Sequence, residues 1–253
     1  MVQAPGPGNA VEKVLVVLDA LTDHHRLTDL ARSTGLPKST VHRILQTLID
    51  RDFAAFDEVS GYGPGPRMLG LAGRTLGDLD ASLAAEPVLR RLQELSSATV
   101  HMAVLAGDEA IYVRKLEGNK PYRMVSRVGM AIPLHCTAIG KALLAAMPDE
   151  EVVELMRRTG LARRTPRTIT TPECLLDDLK GIRQRHWSSD VEENELGIVC
   201  VGAGVRDHSG RVTAAISVSQ LRSDPTAIAL DDLGPQVAAA AAEVSNGFGM
   251  RSA

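Results

Sequence analysis

The chain has 253 residues, of which 44% are apolar and 23% charged, and its formal net charge is −3. Such a composition is typical of folded globular proteins and excludes disorder of the whole chain. No run reaches the ~18 to 20 apolar residues that a membrane-spanning helix requires, and three scattered cysteines exclude a disulfide framework. The Pro and Gly of residues 1–10 predict a flexible tail and not a signal peptide. We therefore expect a reduced, cytoplasmic protein with no membrane partner.

The segment after this tail, residues 11–75, predicts a winged helix-turn-helix domain. Apolar side chains recur at helical spacing over residues 11–23. Thr28 is a candidate N-cap for a second helix, Gly35 is a stop signal, and Pro37 suits the first turn of a third helix. A short helix, a tight turn and a second helix are typical of proteins that lay a helix in the DNA major groove.

The third predicted helix has an apolar face, which includes Val41, Ile44 and Leu48, and an opposite polar face. Arginine can hold guanine through two hydrogen bonds, and glutamine can hold adenine in the same way. A solvated face in an ordinary helical bundle is the alternative, and the preceding glycine turn and proline make it the weaker one. The candidate DNA-binding residues of this face are Lys38, Ser39, Thr40, His42, Arg43 and Gln46.

A hairpin is expected after this helix. Phe53 to Phe56 predicts one strand, Tyr62 begins another, and Glu58 to Gly61 forms the turn. A hairpin in this place is a wing, whose tip is expected to approach the DNA backbone or the minor groove. Arg67 lies just beyond it, and two interpretations remain equally open, a phosphate contact and an ordinary surface arginine. The basic and acidic residues of this part of the chain balance, so the DNA argument depends on where charges lie and not on their sum.

Helical periodicity continues from Met68 to Ser96, and Pro87 is expected to kink or divide it. Within it we assign residues 76–97 to a linker helix between two domains. A helix in this position suits a dimer contact and signal transmission. An ordinary linker helix packed on one domain is the alternative.

Residues 98–253 predict an α+β domain with a mostly antiparallel sheet, because strands precede and follow a group of helices. The alternation of apolar and polar residues predicts strands over 99–107, 110–118 and 122–129, and a hairpin from 197–207 and 210–221 turns around Asp207 to Gly210. Thr171 is a good N-cap for one of the helices. The predicted helices cover residues 137–147, 149–159, 172–186 and 235–248.

Five stretches in order resemble the IclR family of bacterial transcriptional regulators, and the resemblance covers nearly the whole chain after residue 10. The stretches are LPKSTVHRILQTL (36–48), GYGPGPRMLGLA (61–72), PLHCTAIGKALLA (133–145), DVEENELGIVCVGAGVRD (190–207) and AAISVSQ (214–220). The resemblance implies a winged helix-turn-helix, a linker helix and a small-molecule-binding domain whose sheet is like that of GAF domains. It also implies homodimers or dimers of dimers, palindromic operators in double-stranded DNA, and control of metabolic genes, with repression favoured over activation.

The resemblance further implies an effector site in the C-terminal domain. A helix start at Thr137 would point the amides of Ala138, Ile139 and Gly140 outward, where the helix dipole favours an anion such as a carboxylate. The effector is therefore expected to be a small, acidic organic molecule. The other positions that match the family's pocket are an acid, a cysteine and two hydroxyls, namely Asp190, Cys200, Ser217 and Ser219.

Alternatives exist for these residues. Ser217 and Ser219 share one face of a strand, and this face is either the lining of a site or a solvent-facing surface. Asp190 is either a pocket acid or a loop residue that caps backbone amides. The C-terminal domain as a whole either binds a small effector or serves oligomerisation and protein contact without one.

An enzyme is disfavoured by the sequence. The neighbours His135 and Cys136 are badly placed to act as nucleophile and base, and Cys200 lies on an apolar strand, where cysteines usually behave as small hydrophobic residues. None of the common hydrolase, metalloprotease or phosphate-loop motifs is present. The histidines and cysteines show no metal-ligand spacing, so we expect no catalytic residues, no metal and no cofactor.

Overall fold

The computed structural model describes residues 9–68, 70–71 and 80–247. The chain forms two compact units, which are divided between residues 79 and 80. The described elements, numbered in chain order, are α1 (Ala10–Ala20), α2 (Leu27–Thr34), α3 (Lys38–Asp50), β1 (Ala54–Asp57), β2 (Gly61–Pro64), α4 (Asp80–Ser96), β3 (Thr99–Ala106), β4 (Glu109–Leu116), β5 (Ala131–Ile132), α5 (Ala138–Leu144), α6 (Asp149–Thr159), α7 (Pro172–Arg185), β6 (Ser188–Val191), β7 (Ile198–Arg206), β8 (Val212–Leu221) and α8 (Leu230–Gly247).

The first unit is a small helical core with a hairpin. Asn9 and Glu12 form a reciprocal capping box at the start of α1. Gly35 has a φ of 68° between α2 and α3, a left-handed conformation that glycine adopts without strain. The apolar faces of the three helices meet in one buried cluster with β1, and its buried members are Val17, Leu21, Leu30, Leu36, Val41, Ile44, Leu45, Leu48 and Ala54.

The second unit contains one antiparallel sheet in the order β5-β4-β3-β8-β7-β6. Helices α5, α6 and α7 cover one face, where Ala103 and Ala215 join the apolar core that these helices form. Side chains alternate between the two faces of a strand. Met102 and Ile216 therefore point to the other face, where α4 and α8 pack against the strands. The α+β prediction with a mostly antiparallel sheet is confirmed.

Several local predictions are wrong in the first unit. Helix α1 ends at Ala20 and not at residue 23. Thr28 is no N-cap, because α2 begins one residue earlier and Arg26 occupies the cap position without a side-chain hydrogen bond. Residues 1–8 of the predicted tail lie outside the described residues, and the last two residues of that segment are the cap and first residue of α1.

The described part of the predicted linker helix is α4, and its first four predicted residues lie outside the described ranges. Helix α4 continues through Pro87 and is not divided there. Its following residues Val88, Leu89 and Leu92 are buried. Burial of this apolar face compensates for the backbone hydrogen bond that proline removes.

The strand predicted over residues 122–129 is absent from the described structure, and only Ala131–Ile132 adds a short edge strand beside β4. The physical reason lies in the acceptors of this segment. The carbonyl oxygens of Met124 and Ser126 receive hydrogen bonds from the Lys115 ammonium group. They are therefore not available to the amides of a neighbouring strand.

Candidate functional site

Helix α3 presents a polar face to solvent. Lys38, Ser39, His42, Arg43 and Gln46 are exposed, and Thr40 is half-buried. Their arrangement follows from the helical period, which turns the four most apolar positions of α3 into the core. The structure therefore places all six predicted residues of this helix along one accessible surface.

The start of α3 adds backbone donors to this surface. Pro37 occupies the N-cap position, and no side chain caps the helix there. The amides of Thr40 and Val41 donate to the carbonyl oxygen of Pro37. The amides of Lys38 and Ser39 come before these two, at the start of the helix, where no earlier turn offers an acceptor. Uncapped amides at a helix start favour a phosphate group.

The hairpin differs in charge from what a phosphate-binding wing requires. Its tip carries Asp57 and Glu58, and the next residue of the turn, Val59, is 94% exposed. The Ser60 amide and hydroxyl lower the pKa of Asp57 below its ordinary value, so this carboxyl is ionised at neutral pH. Negative charge at the tip opposes an approach to the DNA backbone.

Arg67 is exposed, and its guanidinium lies 5.8 Å from the centroid of the Phe53 ring. This cation–π contact is compatible with both interpretations of Arg67. A phosphate contact for Arg67 stays a prediction.

In the second unit a cavity of about 250 Å³ lies against the α5 side of the sheet. Strands β3, β4, β6, β7 and β8 contribute to its lining, together with the start of α5 and the segment that precedes β5. The structure brings every residue of the predicted effector site to this one cavity, namely Thr137, Ala138, Ile139, Asp190, Cys200, Ser217 and Ser219.

The sheet register explains this convergence. Asp190 pairs with Cys200, and Cys200 pairs with Ser219, so these three side chains form one row across β6, β7 and β8. Ser217 pairs with His101 on β3 and starts a second row. The two serines are both at most 5% exposed, which excludes the solvent-facing interpretation of this strand face.

The start of α5 lies close to the sheet because Gly202 has no side chain. A Cβ atom at Gly202 would come within 2.9 Å of the Ala138 carbonyl group. The hydroxyl of Thr137 accepts a hydrogen bond from the Gly140 amide and donates to the carbonyl oxygen of Pro133. The prediction that three amides point outward is therefore wrong for Gly140, whose donor is used, and leaves those of Ala138 and Ile139.

Asp190 combines the two roles that the sequence left as alternatives. It lies on β6 and lines the cavity, and its Oδ1 accepts hydrogen bonds from the amides of Glu193 at 2.7 Å and Asn194 at 3.3 Å. Burial raises its pKa to about 7, against the lowering effect of the Glu193 amide. The carboxyl group therefore changes between its neutral and charged forms near neutral pH.

Three further polar groups of the cavity, those of Cys200, His101 and Tyr112, are neutral at this pH. The thiol of Cys200 lies 3.2 Å from the hydroxyl of Ser219, and burial raises the pKa of this thiol. Burial lowers the pKa of His101 to about 3, and burial also raises the pKa of the Tyr112 hydroxyl. These three groups thus offer hydrogen bonds without charge to a bound molecule, and Arg123 and Glu195 also line the cavity.

His101, Tyr112, Tyr122 and Ser126 line the cavity but are missing from the sequence-based set. A signal existed for His101, which is a lone polar residue on the inward face of an apolar strand. The rings of His101 and Tyr112 stack with their centroids 4.5 Å apart. No local pattern marks Tyr122 and Ser126, because they reach the cavity from a segment without regular structure.

A buried ionic cluster lies behind the cavity. Lys141 is 1% exposed, and its ammonium group lies 2.7 Å from a carboxylate oxygen of Asp178 and 2.6 Å from one of Glu193. The second carboxylate oxygen of Glu193 is buried without a hydrogen-bond partner. Because the Glu193 amide also donates to Asp190, this cluster fixes the loop that holds the pocket acid.

A second, larger groove of about 370 Å³ lies between α5, α7, β7 and α8. Alanine is the commonest residue of its lining, Arg183, Trp187 and Arg206 are among the larger side chains, and none of the predicted effector residues lines it. Polar groups that converge on one point favour the smaller cavity as a binding site.

Other chemistry finds little support in the described residues. His135 Nε2 lies 3.1 Å from the carbonyl oxygen of Ala162, and burial raises the pKa of Cys136 to about 12, so these neighbours form no activated pair. Within residues 9–68, 70–71 and 80–247, no group of three or more potential ligands is arranged to hold a metal ion. No helix in the described ranges has the length and apolar character to cross a membrane.

These features together define a DNA-binding regulator that has a helix-turn-helix unit and a second unit with a ligand-sized cavity. Two family models match the chain: the IclR helix-turn-helix domain over residues 10–58, and the bacterial transcriptional regulator IclR C-terminal domain over residues 73–246. The chain belongs to the IclR family of bacterial transcriptional regulators, a family of DNA-binding proteins and not of enzymes.

Individual relatives agree with this assignment. The transcriptional repressor IclR of Escherichia coli is 35% identical over 226 residues, which cover 88% of this chain and 82% of the relative. The crystal structure of Thermotoga maritima IclR is 29% identical, has a TM-score of 0.76, and matches 95% of this chain and 99% of its own. An IclR homologue from Microbacterium hydrocarbonoxydans, crystallised with 4-hydroxybenzoate, is 23% identical with a TM-score of 0.82 over 94% of this chain and 98% of its own, which shows a shared fold.

Proposed function

We propose that this protein is a repressor of metabolic genes that binds a palindromic operator and responds to a small organic acid in the 250 Å³ cavity. The observation that carries the proposal is the convergence of the seven predicted effector residues on that cavity. Residues 11–75 would form the DNA-binding domain, 76–97 the linker helix and 98–253 the effector and oligomerisation domain. Two copies in a dimer, or four in a dimer of dimers, would present their α3 helices to the two half-sites.

An acidic effector is supported by the donors of the cavity. The amides of Ala138 and Ile139, the neutral form of Asp190 and the two serine hydroxyls can all donate hydrogen bonds to a carboxylate. An IclR homologue with the same fold was crystallised in complex with 4-hydroxybenzoate, a small organic acid, which supports the proposal of an acidic effector. A C-terminal domain used only for oligomerisation is the alternative, and an open cavity lined by polar groups disfavours it.

The first experiment is to incubate the purified protein with fragmented genomic DNA from its source at near-physiological salt, and to sequence the fragments that it retains. A small set that shares a palindrome would support the proposal, and the adjacent genes would nominate the effector. Fragments retained without a shared sequence, with and without a panel of small organic acids, would contradict it.

Replacing Arg43 with alanine is expected to weaken operator binding by about 1–3 kcal/mol and to relax the base preference at one position, if Arg43 holds a base edge. The measurement is fluorescence anisotropy with the recovered operator and single-base variants of it. Arg51→Ala removes the same charge at the other end of α3 and serves as the control. Equal effects of the two substitutions would remove Arg43 from the residues that read bases.

Replacing Ser217 and Ser219 together with alanine is expected to abolish the release of operator DNA by the active compound of a panel that includes 4-hydroxybenzoate, while operator affinity stays unchanged. The reason is that both hydroxyls lie in the cavity, far along the chain from α3. Thr213→Ala removes a hydroxyl from an exposed position of the same strand and is the matched control. Normal release by the double variant would refute the assignment of the effector site.

A further inference from the structure

Lys115 on β4 uses its whole hydrogen-bonding capacity on one side of the cavity. Its ammonium nitrogen lies 2.7 Å from the carbonyl oxygen of Met124, 2.6 Å from that of Ser126 and 2.8 Å from a carboxylate oxygen of Glu117. An ammonium group has three donors, so these acceptors account for all three. The Lys115 side chain is 11% exposed, so its charge is largely shielded from solvent. We call a hydrogen-bonded contact that holds this side of the cavity a tie.

The segment that Lys115 holds forms the outer wall of the cavity. We call residues 122–126 the cover, because each of them lines the cavity. Within it Val125 is 84% exposed, whereas its neighbours Met124 and Ser126 are half-buried. The cover belongs to no helix or strand, so the ammonium group supplies the hydrogen bonds that a neighbouring strand would otherwise give to its carbonyl groups.

A second tie joins the cover to the sheet. Nε2 of His101 lies 2.7 Å from the hydroxyl of Ser126. His101 is 1% exposed, and its Nδ1 is buried without a hydrogen-bond partner. Because Nδ1 has no partner among the described residues, the hydrogen bond of Nε2 with Ser126 is the polar contact that holds this ring beside Tyr112.

The other end of the cover is fixed to the segment after β8. The hydroxyl of Tyr122 accepts a hydrogen bond from the Leu221 amide at 3.3 Å and donates to Asp224 at 3.4 Å. Lys120 lies 3.0 Å from the same aspartate. The cover is therefore attached at its start through Tyr122, and at Met124 and Ser126 through Lys115 and His101.

We propose that Lys115 is a positioning residue of the effector site, which holds the cover in place as one wall of the cavity, so that loss of its two carbonyl hydrogen bonds loosens this wall and exposes the interior of the cavity. A lysine that only stabilises the fold is the alternative. The proposal rests on the proposed effector site, but its test needs no effector, because Cys200 lies in the cavity and reports access by itself. A result that contradicts the role of Lys115 can therefore be distinguished from a result that contradicts the effector assignment.

The experiment measures alkylation of Cys200 by N-ethylmaleimide in the full-length protein, with Cys174 replaced by serine because it is exposed. Peptide mapping by mass spectrometry separates Cys200 from Cys136, which is buried and does not line the cavity. Loss of the charged hydrogen bonds in Lys115→Met is expected to raise the rate at Cys200 at least about tenfold. Lys115→Arg keeps the cation and is expected to restore most of the protection, and Lys180→Met removes an exposed lysine as the control.

An unchanged rate at Cys200 in Lys115→Met would overturn the proposal, and so would an equal rise at Cys136, because that result means a general loosening of the domain. Hydrogen exchange of the parent protein decides the question if Lys115→Met does not fold. Exchange of the cover amides that is faster than that of β8, at a rate that matches Cys200 alkylation, would support the proposal. Exchange of the cover only through global unfolding would refute it.

Discussion

Lys141→Met is expected to lower the free energy of unfolding by about 3–5 kcal/mol, because it removes one partner from a buried ionic cluster and leaves the others uncompensated. Lys141 is 1% exposed and is paired with Asp178 and Glu193. Methionine fills a similar volume, so the loss reports charge and not a cavity. The largest part of the loss is expected at the Glu193 carboxylate, because one of its two oxygens already has no hydrogen-bond partner and the other would lose Lys141.

Urea unfolding followed by circular dichroism measures this change, with Lys180→Met as the control for a lysine that is exposed on α7. Adding Glu193→Gln to Lys141→Met is expected to recover part of the lost stability, because it removes the unpaired charge. A loss below about 1 kcal/mol in Lys141→Met would mean that water reaches the cluster and that the ion pairs contribute as surface pairs do.

As the pH rises from about 4 to 8, the free energy of unfolding of the Asp190→Asn variant is expected to increase relative to that of the parent protein. Burial raises the pKa of Asp190 from its ordinary value of 3.8 to about 7 in the folded protein. The proton bound by the folded state therefore stabilises it at low pH, and this contribution is lost as the pH rises through the folded-state pKa. Each unit of difference between the two pKa values corresponds to ~1.4 kcal/mol. Asparagine keeps the oxygen that accepts from the Glu193 and Asn194 amides.

The measurement is a series of urea unfolding curves of both proteins between pH 4 and pH 8. Burial also raises the pKa of Glu193, and the charges of Glu193 and Asp190 act on each other, so the difference between the two proteins reports the titration of Asp190 together with its coupling to Glu193. Parallel pH profiles would show that Asp190 is ionised over the whole range, and would remove the neutral donor from the proposed site.

The parts of the molecule that could be predicted are those with a local physical cause. Helix α3 follows from its apolar period and from the turn at Gly35, and its exposed face is the predicted one. The hairpin of β7 and β8 follows from alternation and a polar turn. The pairing of Ser217 and Ser219 on one face follows from the period of a strand, and the sheet register then brings them beside Cys200.

The parts that could not be predicted depend on contacts between distant residues. The alternating pattern of residues 122–129 is that of a strand, but a lysine from β4 takes the carbonyl groups that a strand would pair. The approach of α5 to the sheet depends on Gly202. A side chain at this position would collide with Ala138, and this is visible only once the two residues are seen in contact. In the sequence Lys141 looks like an ordinary polar residue of a helix, because its partners Asp178 and Glu193 are 37 and 52 positions away along the chain.

The acidic tip of the hairpin has a consequence for how the complex with DNA responds to ionic strength. Binding affinity falls with salt in proportion to the number of phosphates that a protein neutralises, because each one releases condensed counterions. The cations among the proposed DNA-binding residues are Lys38 and Arg43 on α3 and Arg67 beyond the hairpin, whose tip carries Asp57 and Glu58. If these residues form the contact with DNA, as proposed, we expect each copy to release few counterions and a larger share of its operator affinity to come from base contacts, which ionic strength leaves nearly unchanged.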